Sequence, residues 1–122
     1  MSVFIDQMMF MKACDQTVGK FNEDQLNMYF NLMEEEGSEL SEAIMKQDRV
    51  QTLDALIDIM VVTIGAIHSL GVDADAAWNE VLATNLAKID RATGKVIKRE
   101  DGKVLKPEGW KPPDLAKHVR AL

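Results

Sequence analysis

Two stretches of this chain carry side chains whose types and spacing can do chemistry. Asn31 to Glu42 reads N-L-M-E-E-E-G-S-E-L-S-E, and Leu53 to Val62 reads L-D-A-L-I-D-I-M-V-V. At about 100° per residue, helical positions three or four apart share a face. Leu26, Tyr29, Phe30, Met33, Gly37, Leu40 and Ile44 then form one apolar stripe. Glu36 and Glu39 lie on its flank beside Leu32 and Ala43, while Glu35 and Glu42 lie further round towards solvent. Two carboxylates at a core boundary repel each other and lose hydration. A divalent cation relieves both costs. Mg²⁺ suits such donors, because it takes carboxylate oxygens, keeps several waters and bridges to substrate phosphates. A purely solvated acidic face is the competing reading of a Glu run.

The second stretch strengthens the metal reading. Between Ala55 and Ile67 the only charge is Asp58; Asp54 precedes it by four, so both share a face with Val61 and Gly65. An ionised Asp on so apolar a helix is costly unless it is paired or bound to a metal. A buried Arg, or a backbone group that Asp58 caps, would satisfy it as well. Two acidic pairs at helical spacing on successive helices match the way helix bundles build metal sites in their cores. Further along, Asn85 and Lys88 stand three apart. Together they can hold a phosphate, Lys by charge and Asn by hydrogen bonds, or they are a plain surface pair.

Helices must position these groups. The spacing predicts a first helix over Ser2 to Val18, stopped by Gly19. A second is predicted from Glu23 to Lys46, capped by Asn22 with Gln25 as a loose capping box. Gly37 inside it costs roughly 1 kcal/mol relative to Ala, which a close helix crossing or a local kink would explain. Asp48 caps the third, which runs to Leu70 and ends at Gly71. This helix is apolar nearly all round, so part of it is expected to be buried against another subunit. His68, near its end, reads as a dipole-stabilised or surface residue. Asp73 caps a fourth helix, Ala74 to Ile89, with Trp78, Val81, Leu82, Leu86 and Ile89 inward.

From Asp90 the composition turns to Gly and Lys. Lys95 to Lys98 and Lys103 to Lys106 flank Glu100-Asp101-Gly102, a hairpin signal. The positive charge of this segment would gather anionic substrate, or the segment is a solvated linker. Trp110 to Asp114 reads as a rigid extended turn, and Leu115 to Leu122 as a short helical tail. The fold class expected is all-α: one domain over 1–122, with a four-helix-bundle-like core over 1–89, a short irregular or hairpin C-terminal tail over 90–122, and an oligomeric state of dimer or tetramer.

Composition bounds the function. A chain of 122 residues with 47% hydrophobic residues can bury a modest core and is globular. Its net charge of −6 argues against general nucleic-acid binding but admits a metal-bridged phosphate substrate. Cys14 is the single cysteine, so no internal disulfide forms and a reducing cytoplasm is expected. The N-terminus lacks the features of a signal peptide, and no uninterrupted apolar run reaches the ~18 residues of a membrane span. There is no Gly-rich P-loop, no CxxC pair and no Ser-His-Asp set. Phe10, Tyr29, Phe30 and Trp110 are candidates for stacking on a base, and equally for the core.

These residues in this order resemble the all-α nucleoside-triphosphate pyrophosphohydrolase superfamily, which takes in MazG-like proteins, dimeric dUTPases and phosphoribosyl-ATP pyrophosphohydrolases. The shared pattern is E-E-x-x-E (Glu35, Glu36, Glu39), then an acidic pair (Asp54, Asp58), then N-x-x-K (Asn85, Lys88). The resemblance is closest to the phosphoribosyl-ATP branch, through D-A-L-I-D, T-N-L-A-K and the Lys-rich tail ending W-K-P-P-D-L. MazG proteins usually carry E-x-x-D on the second acidic helix; here Ala55 stands three before Asp58, and the acid is Asp54.

The resemblance implies Mg²⁺-dependent hydrolysis between the α- and β-phosphates of a (deoxy)nucleoside triphosphate, giving the monophosphate and pyrophosphate. It implies Glu35, Glu36, Glu39 and Asp58 as catalytic residues, Glu36, Glu39, Asp54 and Asp58 at the metal, Asn85 and Lys88 on substrate, and a homo-oligomer; the net charge and the lack of a long apolar run add the expectation of neither nucleic acid nor membrane as partner. Phosphoribosyl-ATP as the substrate is the alternative, and so is a non-catalytic nucleotide-binding or regulatory protein on the same fold.

Overall fold

A computed structural model describes residues 2–119. The fold is all-α, as expected, with one small two-stranded sheet. The chain divides into two units, the first ending at Ala74 and the second beginning at Asp75.

The first unit holds α1 (Val3–Ala13), α2 (Glu23–Met45) and α3 (Arg49–Ser69), and both α1 and α2 pack on α3. Side chains cap all three at their N-termini. Ser2 Oγ accepts from the Ile5 amide at 3.1 Å, Asn22 Oδ1 from Gln25 at 3.0 Å, and Asp48 Oδ1 from Gln51 at 3.0 Å. The helix α1 is shorter than its sequence spacing predicts. It ends at Ala13, Asp15 takes the left-handed turn at φ 57°, and Gly19 lies in the loop beyond instead of at the stop. The reason is Gln25. Its side-chain carbonyl accepts from the Thr17 amide and its NH₂ donates to the Thr17 carbonyl, both at 2.8 Å, so that backbone is not available for a longer helix. Gln25 also donates to Ser69 Oγ at 2.9 Å. Being buried, it is satisfied by these three bonds. The expected capping box is therefore only half made. The Asn22 amide, which Gln25 would have met, donates to the Ser69 carbonyl at 2.9 Å.

The pairing of α2 with α3 turns on one glycine. A Cβ at Gly65 would come within 2.7 Å of three atoms of the Tyr29 ring, so the ring lies directly on the α3 backbone. Tyr29, Met11 and Val62 form the buried cluster, with Val18, Leu32, Met33 and Ala66 against it. The Tyr29 hydroxyl donates to Gln16 Oε1. Gly37, where the sequence-based expectation is a close crossing or a local kink, has nothing within 4 Å of a Cβ, so no close crossing occurs there. Gly71 ends α3 as predicted, at φ +78°, and also admits the close passage of the Lys20–Phe21 peptide. His68 is buried and not at the surface; its Nε2 donates to the Phe4 carbonyl at 2.8 Å and ties α1 to α3.

One apolar stripe of α3 is exposed. Val50, Leu53, Ile57 and Met60 follow the three-four-three spacing of a single face, and Val50 is 79% exposed. By length and composition α3 could cross a membrane. Asp54 and Asp58 are unfavourable in hydrocarbon, however, and Val62, Ile64 and Gly65 of the same helix are buried within this unit.

The second unit contains α4 (Ala74–Leu86) from Asp75 on, the strands β1 (Ile89–Asp90) and β2 (Lys95–Val96), and the single turn α5 (Ala116–Val119). The helix α4 stops three residues before the expected Ile89, because Ile89 pairs with Val96 in an antiparallel ladder. Of the residues expected to face inward, Val81 is half-buried and Trp78, Leu82, Leu86 and Ile89 are exposed. The predicted hairpin at Glu100-Asp101-Gly102 forms. Lys98 bridges Val104, and the Arg99 amide donates to the Lys103 carbonyl at 2.8 Å. The end of the predicted tail helix, 120–122, lies outside the described residues.

The two helical glycines give opposite expectations. Gly65→Ala should destabilise the protein by about 1–3 kcal/mol, since the Tyr29 ring has no space to yield into. Gly37→Ala should be neutral or stabilise by up to about 1 kcal/mol. Urea titration of both variants checks this, and a neutral Gly65→Ala would contradict the packing described.

Candidate functional site

The Tyr29–Gly65 contact aligns the acidic parts of α2 and α3. Glu36 lies seven residues beyond Tyr29, and Asp58 seven residues before Gly65, two turns along helices that run back on each other through a short connection. Glu36 is half-buried, and its Oε2 is fully buried with no hydrogen-bond partner. Its pKa is raised above the ordinary carboxylate range. Burial is the largest cause, followed by the charge of Glu39, the charge of Asp58, a hydrogen bond with the Glu39 carboxyl and the charge of Asp54. Three of the acids expected at a metal, one on α2 and two on α3, thus act on the fourth, Glu36. Asp58 is half-buried, and Glu39 and Asp54 are exposed. Glu35 stands on the exposed side of α2.

A cleft of about 390 Å³ opens at Glu39 and Asp54, lined also by Glu42, Lys46, Gln51 and Ala55. Lys46 pairs with Glu42 at 2.8 Å, which lowers the Glu42 pKa and raises that of Lys46. Glu42 is thereby neutralised within its own helix, whereas Glu39 and Asp54 face the cleft without such a partner among the described residues. Lys46 and Gln51 are lining residues that sequence reasoning passed over. The only signal for them was their place at the junction of the two acidic helices.

Among the described residues no group of three or more acidic, His or Cys side chains is placed to hold a metal ion by itself. The donor set nevertheless suits Mg²⁺, which binds through one or two carboxylates, several waters and substrate phosphates instead of a closed protein cage. The buried oxygen of Glu36 that lacks a partner is the specific observation in its favour, because such an atom is destabilising unless a hydrogen-bond donor, a proton or a cation meets it.

In the second unit the expected Asn85–Lys88 pair is formed. Lys88 Nζ donates to Asn85 Oδ1 at 3.1 Å. The Lys88 ammonium also sits 5.2 Å from the centroid of the Trp110 ring, and Lys106 sits 4.8 Å from the same centroid. Trp110 Nε1 donates to the Thr84 carbonyl at 2.8 Å. A groove of about 400 Å³ runs between Ala83, Thr84 and Ala87 on one side and Pro107 to Lys111 on the other. Of the four candidate stacking residues, Tyr29 is core, Phe10 and Phe30 are exposed, and Trp110 is half-buried in this second unit.

The model of a family described as phosphoribosyl-ATP pyrophosphohydrolase matches residues 5–85, more than half of the chain. The matched span includes Glu35, Glu36, Glu39, Asp54, Asp58 and Asn85 and ends before Lys88 and the Lys-rich tail. No curated protein matches the chain.

The raised pKa of Glu36 gives a signed expectation in metal-free buffer. A carboxyl that titrates higher in the folded state than in the unfolded one makes stability fall as pH rises between those two values, and the loss is complete above the folded value. Glu36→Gln should therefore raise the melting temperature at neutral pH. The gain should shrink and vanish as pH falls below the ordinary carboxylate range. Thermal melts of both proteins from pH 3 to pH 8 check this; a variant destabilised at neutral pH would mean that Glu36 is satisfied without a cation.

Proposed function

This chain belongs to the phosphoribosyl-ATP pyrophosphohydrolase family, and on that premise we propose that it hydrolyses the α–β anhydride of phosphoribosyl-ATP, releasing the monophosphate nucleotide and pyrophosphate. The family is one of hydrolases acting on phosphorus anhydrides. Its name favours phosphoribosyl-ATP, the second of the two substrates expected from the sequence, over a nucleoside triphosphate.

The observation that carries the chemistry is the buried, unpartnered Glu36 oxygen among three further carboxylates. Glu36, Glu39, Asp58 and Asp54 would hold Mg²⁺. When bound, the ion neutralises phosphate charge and makes a bound water more acidic. Lys88 and Asn85 bind phosphate oxygens, by charge and by the amide NH₂ that the Lys88–Asn85 bond leaves available. Glu35 accepts the proton of the attacking water. The water oxygen bonds to phosphorus as the bond from that phosphorus to the bridging oxygen breaks, and the bridging oxygen keeps the electron pair.

A (deoxy)nucleoside triphosphate is the second reading. It presents the same anhydride to the same residues, and the tail that lies outside the family match leaves room for a different preference. The exposed stripe Val50, Leu53, Ile57 and Met60 is assigned to a second copy of the chain, since a continuous apolar face of this kind marks an interaction surface.

Incubation with Mg²⁺ and a panel of phosphoribosyl-ATP and ribo- and deoxyribonucleoside triphosphates should yield monophosphate and pyrophosphate, most rapidly from phosphoribosyl-ATP. Diphosphate with orthophosphate would refute the assigned bond. Nucleotide binding without product would identify a binding protein. Glu39→Gln and Asp58→Asn should abolish turnover in folded protein, and Glu35→Gln should lower kcat about 10²–10⁴-fold. Activity retained in both Glu39→Gln and Asp58→Asn would exclude the metal assignment. Separately, Leu53→Glu should convert an oligomer into monomers in sedimentation velocity; a monomeric parent protein would refute the assigned interface.

A further inference from the structure

We propose that Lys106 binds substrate phosphate together with Asn85 and Lys88, and that Trp110 is the positioning residue that brings it there. Trp110 is fastened to α4 by its Nε1 bond to the Thr84 carbonyl, one residue before Asn85 and one turn before Lys88. The ring therefore stands at the end of α4 and takes two cations, Lys88 at 5.2 Å and Lys106 at 4.8 Å from its centroid. These two residues are eighteen apart in sequence, and both ammonium groups lie against one ring.

Like charges gathered in this way repel each other, and the ring offsets only part of that repulsion. Three cations of the chain are paired with carboxylates, Lys46 with Glu42, Arg99 with Asp101 and Lys117 with Glu80, and what sets Lys88 and Lys106 apart from the other cations is the ring they share. Among the described residues neither Lys88 nor Lys106 has such a pair, although the chain carries a net charge of −6. A polyanion with several oxygens satisfies what the arrangement leaves open, namely two ammonium groups with spare donors and the Asn85 amide NH₂. A polyphosphate has that chemistry. Lys106 and Trp110 both lie beyond the matched family span, so the assignment adds to the Asn85–Lys88 pair. It rests on the proposed function in taking the anion to be the phosphate chain of the substrate.

The test reads binding apart from turnover. In a Trp78→Phe background Trp110 is the sole tryptophan of the full chain. Inorganic pyrophosphate and tripolyphosphate, titrated with EDTA present, should change its emission saturably. Lys106→Gln should weaken that binding about tenfold, the weight of one charge-assisted contact, and Lys106→Arg should restore it. By calorimetry Trp110→Ala should weaken tripolyphosphate binding as much as Lys106→Gln does. With Mg²⁺ and a turned-over substrate, Lys106→Gln should raise KM by a similar factor and leave kcat within about twofold. No saturable response to either polyphosphate, or an affinity unchanged by Lys106→Gln, would overturn the proposal. Polyphosphate binding that depends on Lys106, in a protein that hydrolyses no nucleotide, would uphold this inference and refute the proposed function. Hydrolysis with a Lys106-independent affinity would do the reverse.

Discussion

The contact between the Tyr29 ring and the bare backbone at Gly65 is the constraint on which the first unit depends. Only glycine leaves space there, so α2 and α3 approach closely at one point and their register follows from it. Counting outward along helices that run back on each other, Tyr29 plus seven is Glu36 and Gly65 minus seven is Asp58. Seven residues are about 10.5 Å of helix, so both acids lie about the same distance from the contact. Glu39 and Asp54 follow by a further three or four residues. The contact also holds the other end in place, because Ser69, one turn after Gly65, bonds to its carbonyl and receives Gln25.

This register brings carboxylates together, which is unfavourable for the fold alone. Glu36 bears the largest share, since its raised pKa and its unpartnered oxygen record the same crowding. A structural explanation of the acidic residues would predict that each is paired, as Glu42 is with Lys46 one turn away. Glu36 is not paired in this way. Glu42 and Glu36, six residues apart on one helix, thus differ: one is an exposed acid with its own cation, the other a half-buried acid with an oxygen that no donor meets. Residues that reduce stability without structural compensation concentrate where a ligand later supplies the compensation.

The crowding of carboxylates around Glu36 was legible from helical periodicity because it depends on local spacing: i, i+3 on α2 and i, i+4 on α3. The caps at Asn22 and Asp48 were legible for the same reason. What escaped were contacts set by residues far apart in sequence. Gln25 looked like half of a capping box, but its amide is taken by Thr17 and Ser69, the latter forty-four residues away. His68 looked like a helix-end surface residue, but α1 covers it through Phe4. At the glycine nearest the acids, Gly37, a close crossing or a local kink was the expectation, whereas the close crossing occurs at Gly65; nothing local distinguishes the two, since the deciding partner is a ring on another helix. Lys106 was visible only as one of many tail lysines, and its place became apparent when the Trp110 indole was found bonded to Thr84.

The distribution of charge along the chain follows the same logic. Eight of its fourteen Lys and Arg residues fall between Lys88 and Lys111, while the acids of α2 and α3 face one another with little basic relief. If solubility alone governed these placements, mixing the signs would serve it better, because interspersed charges relieve repulsion in both regions. Segregation maintains a repulsive carboxylate group in one unit and a repulsive ammonium group on one indole in the other. The carboxylates call for positive charge and the lysines for anionic oxygens, so each unit carries an electrostatic demand that its own fold does not meet.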